Sequence, residues 1–406
     1  MLRALARGSR TGKQARNVFL LLLAAGLFFP ASSQSQTYTF TLLHSFAGAP
    51  TDGAMPAGGM IFDTAGNLYG TTVYGGSAVN AGAVFSYSPA SDAVSISFAF
   101  DGNNGFEPGG ALAIDGNGNV YGIAQKGGTG YCGVLFEIPA EGSESTILNF
   151  SYTNVCNPNG GVGLDSQGDF YGVGSGQLFE ISPSGGFASL YSFMGSPDGA
   201  LPMAIPLLYN ASYFFGTTAF GGLDACDSLA APGCGTVYEY SSGGGESILY
   251  SFSNYDTDGS FPMGTPVMDA KGNLYGTTYA GGVNDLGIIF ELSPPAKQGG
   301  GWTRTTLHQF SGASDGAHPS AGLVMDSQGN IYGTTYQGIG KTQHGTVFKF
   351  STARPRKLTT LHTFAGPPND GAYPAGALAL DANGNLYGIT QVGGNSNLGT
   401  LYRLSP

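Results

Sequence analysis

The chain has 406 residues, of which 69 are Gly, 12% are aromatic and only 10% are charged. Its formal net charge is −11, and five basic residues near the start conceal a larger imbalance: the rest of the chain holds 10 Lys and Arg against 26 Asp and Glu. Such a surface repels phosphate backbones and anionic lipid, which excludes nucleic acid and membrane surfaces as partners, and many Gly with few charges indicates short strands and tight turns, not disorder.

Residues 1–33 stand apart. Arg3, Arg7, Arg10, Lys13 and Arg16 form a basic leader, Val18 to Phe29 is an apolar run, and Ala31-Ser32-Ser33 offers small residues for cleavage. Twelve apolar residues at ~1.5 Å each cannot cross a ~30 Å hydrocarbon layer, so the segment reads as a signal peptide. The protein is therefore expected to be secreted, extracellular or periplasmic, with no membrane association after cleavage, and residues 34–406 are expected to fold as one monomeric domain.

From Tyr69-Gly70 onward an aromatic-Gly pair recurs at Tyr121-Gly122, Tyr171-Gly172, Phe215-Gly216, Tyr275-Gly276, Tyr332-Gly333 and Tyr387-Gly388. The spacing of 44 to 60 residues is that of one four-stranded propeller blade. Residues 265–310 show the unit: the short strand Pro266 to Asp269, a turn, Leu274 to Tyr279, a Gly-rich loop, Gly287 to Ser293, a connection, and Thr303 to Phe310. Alternation of apolar and polar residues supports strands throughout.

The turn between the first two strands is Asp-x-x-Gly-Asn in most units, as at Asp63, Asp115, Asp269, Asp326 and Asp381, with Asp165 to Asp169 a variant. An Asp side chain that accepts backbone N–H groups, followed by Gly, fixes such a hairpin. Calcium is disfavoured because each turn supplies one carboxylate. The recurrent Gly of the second strand implies close approach by a neighbouring blade. Each third strand carries an aromatic, Phe85, Phe136, Phe179, Tyr238, Phe290, Phe348 and Tyr402, assigned to the core between blades.

Tyr38 to Phe46 matches the fourth-strand pattern of Leu307 to Phe310 and Leu361 to Phe364, while the chain ends on a third-strand pattern, Gly399 to Leu404. The expected fold is an all-β, seven-bladed β-propeller of four-stranded blades, closed by the N-terminal strand completing the last blade, which leaves no open edge at the seam.

Export permits disulfides among the four Cys. Cys226 and Cys234 share one loop, which leaves Cys132 to pair with Cys156, both on the face that carries the loops between blades. No metal is expected, since neither His nor a further Cys stands at ligand spacing.

On that same face an Asp/Asn-Gly step precedes each innermost strand: Asp52, Asn104, Asn159, Asp198, Asp258, Asp315 and Asp370. Turn chemistry explains the pattern. The functional reading is a polar ring at the channel mouth for a cation or sugar hydroxyls, with Asp52, Asp198, Asp258, Asp315 and Asp370 as ligands and Tyr74, Phe220, Tyr279 and Tyr336 as aromatic support. No catalytic set is evident. His44, His308 and His362 share one fourth-strand position, and no nucleophile elbow, zinc motif, phosphate loop or dinucleotide fingerprint appears, so no cofactor is expected.

The ordered motifs Leu-His-x-Phe, Asp-Gly-x-x-Pro, Asp-x-x-Gly-Asn-Leu-Tyr-Gly-Thr-Thr and Gly-Thr-Val-Phe-x-Leu-Ser, seen most fully in Asp315 to Pro319, Asp326 to Thr335 and Gly345 to Ser351, resemble the GloVer tandem-repeat family of exported bacterial proteins. The resemblance spans about residues 37–406 and implies a secreted repeat protein without assigned activity or catalytic residues. Two functions follow as expectations. One is a binding module for glycans or another exported protein; the alternative is a polysaccharide- or peptide-acting hydrolase or lyase at the channel mouth. Fold alone does not choose between them.

Overall fold

The computed structural model describes residues 37–406 apart from 142, 211–212, 224–225, 227–232, 254–257 and 298. The leader expected over residues 1–33 lies outside the described residues.

Seven antiparallel blades form a ring. Blade 1 takes its four strands from Gly53–Phe62, Leu68–Gly75, Ala83–Ser88 and Ala93–Ala99, paired in that order. Blades 2 to 6 repeat the pattern up to Lys357–Thr363; in blade 2 the incoming segment pairs with the second strand separately from the first strand proper, and in blade 4 it pairs with Phe220–Gly221 just beyond the second strand. Blade 7 is Gly371–Leu380, Leu386–Gly393 and Thr400–Ser405, and its fourth strand is the N-terminal segment Thr39–Ser45. Thr39 pairs with Ser405 and Ser45 with Thr400, so both chain ends share one sheet.

The first strands meet around the axis through small residues. A Cβ on Gly59 would touch Ala111 of blade 2 and Ala377 of blade 7, and Ala111 pairs in parallel with Gly161 of blade 3. Seven buried clusters sit one at each interface between blades. Each is built on a third-strand aromatic; Phe85, Phe136, Phe179, Tyr238, Phe290, Phe348 and Tyr402 are all 0% exposed. Onto each the Phe that ends the preceding blade's fourth strand packs at an angle: Phe46 on Phe85 at 5.2 Å, Phe252 on Phe290 at 5.4 Å and Phe364 on Tyr402 at 5.1 Å are examples. Such tilted contacts suit the ring quadrupoles and add about 0.5–1.5 kcal/mol each beyond burial.

This stacking accounts for the second-strand Gly and corrects one expectation. Gly276 lies directly opposite Phe290 of its own blade, and a Cβ there would stand 2.4 Å from Phe290 Cζ. Gly70 against Phe85 and Gly388 against Tyr402 repeat the arrangement. The crowding ring belongs to the same blade's third strand, pressed over the Gly by the Phe behind it, not to a neighbouring blade.

The two disulfides join Cys132 to Cys156 and Cys226 to Cys234, with Cα separations of 4.4 and 5.2 Å. Among the described residues no helix is long and apolar enough to cross a membrane.

Candidate functional site

The loops that leave the fourth strands of blades 3 to 7 carry the Asp of the Asp-Gly step, and all five carboxylates are engaged by the protein itself. Asp315 Oδ2 meets His308 Nε2 at 2.9 Å, and Ser311 donates to the same carboxylate through its backbone N–H and its Oγ. Asp52 accepts from Ala47 N and Gly53 N with His44 Nε2 at 3.0 Å, and Asp370 accepts from Ala365 N and Gly371 N with His362 Nε2 at 3.0 Å. In Asp198 and Asp258 the partner is a Tyr hydroxyl, Tyr191 at 3.0 Å and Tyr250 at 2.9 Å. The acids thus tie each loop to the outer strand it has just left. Burial alone would raise the Asp52 and Asp315 carboxyls, but the His contacts and loop N–H groups outweigh it and hold both below the ordinary value.

Blade 3 departs from the expectation that Asn159 holds this position. Its loop residue equivalent to these acids is Asn154, whose Oδ1 accepts from Ser151 N and Val155 N, whereas Asn159 lies within the first strand itself. Counting back four residues from Pro158, as from Pro56 to Asp52, identifies it.

The residue just before the Pro has positive φ in every blade: Met55, Glu107, Asn157, Leu201, Phe261, His318 and Tyr373, between 52° and 59°. That region is unfavourable for side chains other than Gly and persists only where surrounding contacts impose it. Here the backbone N–H of six of them donates into the preceding blade, as Met55 N to Leu398 O at 2.8 Å and His318 N to Leu286 O at 2.9 Å. The turn projects these side chains against the ends of the second strands. Phe261 meets Phe220 at 5.1 Å, His318 stacks on Tyr279 at 4.6 Å and 29°, and Tyr373 on Tyr336 at 5.1 Å and 30°. An arc of six aromatic rings therefore spans blades 4 to 7. Burial, then the neighbouring phenols Tyr373 and Tyr279, raises the Tyr336 hydroxyl above its ordinary value, so it remains a hydrogen-bond donor at neutral pH. Across the ring the corresponding positions are different: Tyr74 meets Phe106 at 6.4 Å, and Glu107 pairs with Lys126 at 2.7 Å.

On the opposite face the Asp-x-x-Gly-Asn turns close on themselves. Asp269 Oδ1 accepts from Lys271 N and Asn273 N, and its Oδ2 from Asn273 Nδ2 and the Tyr275 hydroxyl, which uses up the carboxylate. Among the described residues no group of three or more His, Cys, Asp or Glu is placed to hold a metal.

Solved structures similar to this chain show the same fold at low identity. A streptogramin B lyase matches with a TM-score of 0.59 at 10% identity over 91% of this chain and 97% of its own. A catalytically inactive virginiamycin B lyase from Staphylococcus aureus, solved with quinupristin, gives 0.58 at 13%, covering 91% and 100%. The extracellular domain of a putative one-component system from B. thetaiotaomicron gives 0.53 at 11%, covering 90% of this chain and 40% of that one. No protein of curated function matches the chain by sequence. The model of the Gloeobacter/Verrucomicrobia repeat matches residues 24–230 and 225–406, and the chain belongs to that family.

Proposed function

We propose that the protein is an exported binding module that takes the flat faces of sugar rings on the aromatic arc of blades 4 to 7. The observation that carries this reading is the set of pairs Phe220–Phe261, Tyr279–His318 and Tyr336–Tyr373, three of whose members are held at positive φ. Maintaining such backbone costs of order 1–3 kcal/mol per residue and recurs at ligand-holding surfaces. Phenols that present both a ring face and a hydroxyl suit a ligand with apolar C–H faces and a hydroxyl rim. The five Asp support the site by fixing the loops, and Tyr74 extends it toward blade 1. Export is supported by the two disulfides. For the alternative, a hydrolase or lyase at the mouth, the carboxylates that would act as acid or nucleophile are committed to the loops, and the lyase names of two fold neighbours carry no residue over.

The test is a glycan array on residues 34–406, followed by calorimetry with the best hit. Replacing Tyr279 and Tyr336 by Ala should weaken that glycan at least tenfold while the melting temperature changes little, since both side chains are only half-buried. An affinity untouched by the double substitution would sink the arc as the site.

A further inference from the structure

In six blades the fourth strand turns one side chain toward the loop and outer strand of the preceding blade. In third-strand register this position is Phe40 in blade 7, Val94 in blade 1, Phe187 in blade 3, Glu246 in blade 4, Arg304 in blade 5 and Leu358 in blade 6. Phe40 lies flat on His362 at 3.9 Å, which shows what the position faces. In blade 5 it faces an acid and a phenol: the Arg304 guanidinium stands 2.9 Å from Asp258 Oδ1 and 5.9 Å from the ring centre of Tyr250, whose hydroxyl donates to the same Asp.

One interface earlier the same two partners recur as Tyr191 and Asp198, hydrogen-bonded at 3.0 Å. The position opposite them, however, holds Glu246. Two carboxylates now face one phenol, and the Glu246 Oε1 atom is buried without a hydrogen-bond partner. Residues 127–270 contain fourteen Asp and Glu but no Lys, Arg or His, so blades 3 and 4 have no cation of their own to offer. Beside Glu246 opens a cleft of about 550 Å³ walled by Tyr191, Pro197, Leu223, Ile248 and Tyr250, with Leu223 71% exposed at its lip.

We propose that this cleft binds a guanidinium group, the arginine side chain of a peptide, seated between Glu246 and Asp198 against Tyr191, with its methylene stem along Pro197, Ile248 and Leu223. The neighbouring interface supplies the template, since Arg304 is the intramolecular form of the same contact. A planar guanidinium with several donors matches two carboxylates and an aromatic face better than a compact ammonium does. Burial, followed by the charge of Asp198, raises the Glu246 carboxyl to about 7, with Tyr191 opposing the rise. Asp198 and Tyr191 from the loop and outer strand of blade 3, and Tyr238 and Tyr250 from blade 4, are the titratable groups around it. A bound cation favours the ionised form, so affinity should rise with pH through about 7 and fall about tenfold per pH unit below it. This site uses none of the residues of the aromatic arc and does not depend on its reading.

The test is calorimetric titration of residues 34–406 with N-acetylarginine methylamide at pH 8 and pH 6, alongside the lysine analogue. Saturable binding at pH 8, several-fold weaker at pH 6 and weaker still for lysine, is expected. Glu246→Arg should fill the cleft as Arg304 fills its own and abolish binding while melting no lower than the parent. Should that variant not fold, Glu246→Leu, matching Leu358 in the same position of blade 6, makes the same test. No saturable binding at pH 8, equal affinity for lysine, or binding that survives substitution of Glu246 would overturn the proposal.

Discussion

His308, on the last strand of blade 5, holds Asp315 of the loop into blade 6 with Nε2 2.9 Å from Oδ2, and around the ring the nature of one partner follows the other. Where the outer strand offers His44, Tyr191, Tyr250, His308 or His362, the loop carries Asp52, Asp198, Asp258, Asp315 or Asp370. Where it offers Phe98 or Leu148, the loop carries Asn104 or Asn154, whose amide oxygens accept the loop N–H groups of Asp101 and Ser151. A half-buried carboxylate needs a donor beyond the backbone, and an amide oxygen does not.

Asp315→Asn should therefore cost about 1–3 kcal/mol of stability, and His308→Phe a similar amount because it takes away the carboxylate's His partner and leaves it the Ser311 donors alone. The double substitution recreates the Phe98–Asn104 combination. Its cost in urea denaturation should fall clearly short of the sum of the singles. Strict additivity would mean that the pair is not an energetic unit.

Acid should expose the same contacts. With folded-state values held below the unfolded reference of 3.8, Asp52 and Asp315 contribute stability that is present above that value and is lost as pH falls through the folded one. Between pH 5 and pH 2.5 the melting temperature of a protein bearing Asp52→Asn and Asp315→Asn should decline less steeply than that of the parent. Parallel curves would assign acid sensitivity to other groups.

Deleting residues 37–46 removes the strand paired with Thr400–Ser405 and the fully buried Phe46 that packs on Phe85. A loss of several kcal/mol, with new proteolysis in residues 386–405, is expected, since one strand's ladder and one interface's anchor go together. Melting that matched the full domain would contradict closure through this strand.

Most of the architecture was legible because the repeat restates it seven times: turn residues, strand lengths and the third-strand aromatics recur in fixed order, and the match of Tyr38–Phe46 to a fourth strand revealed the seam. Register was less legible. Sequence alone does not say which ring lies across from the second-strand Gly, and Asn159-Gly160 imitates the Asp-Gly step while Pro158 marks the true frame. The site is the least legible part. Asp52 and its counterparts look like ligands in the sequence, yet the matching His or Tyr seven or eight residues earlier already indicated their partner. The residues before Pro, from Met55 to Tyr373, share no side-chain chemistry, so only backbone geometry reveals them as a set.

Gly276→Ala tests the aromatic stack that underlies every interface. Gly276 carries ordinary negative φ, so the substitution introduces no backbone strain, and Ala would ordinarily favour a strand over Gly. Steric contact decides the sign instead: the new methyl would stand 2.4 Å from Phe290 Cζ, and Phe290 cannot retreat because Phe252 packs on it at 5.4 Å. Overpacking of this kind costs about 1–3 kcal/mol. Adding Phe290→Leu removes the ring that the methyl strikes, so in the Phe290→Leu background the extra cost of Gly276→Ala, measured by denaturation, should shrink toward zero. An undiminished cost would show that something other than the ring excludes a side chain there.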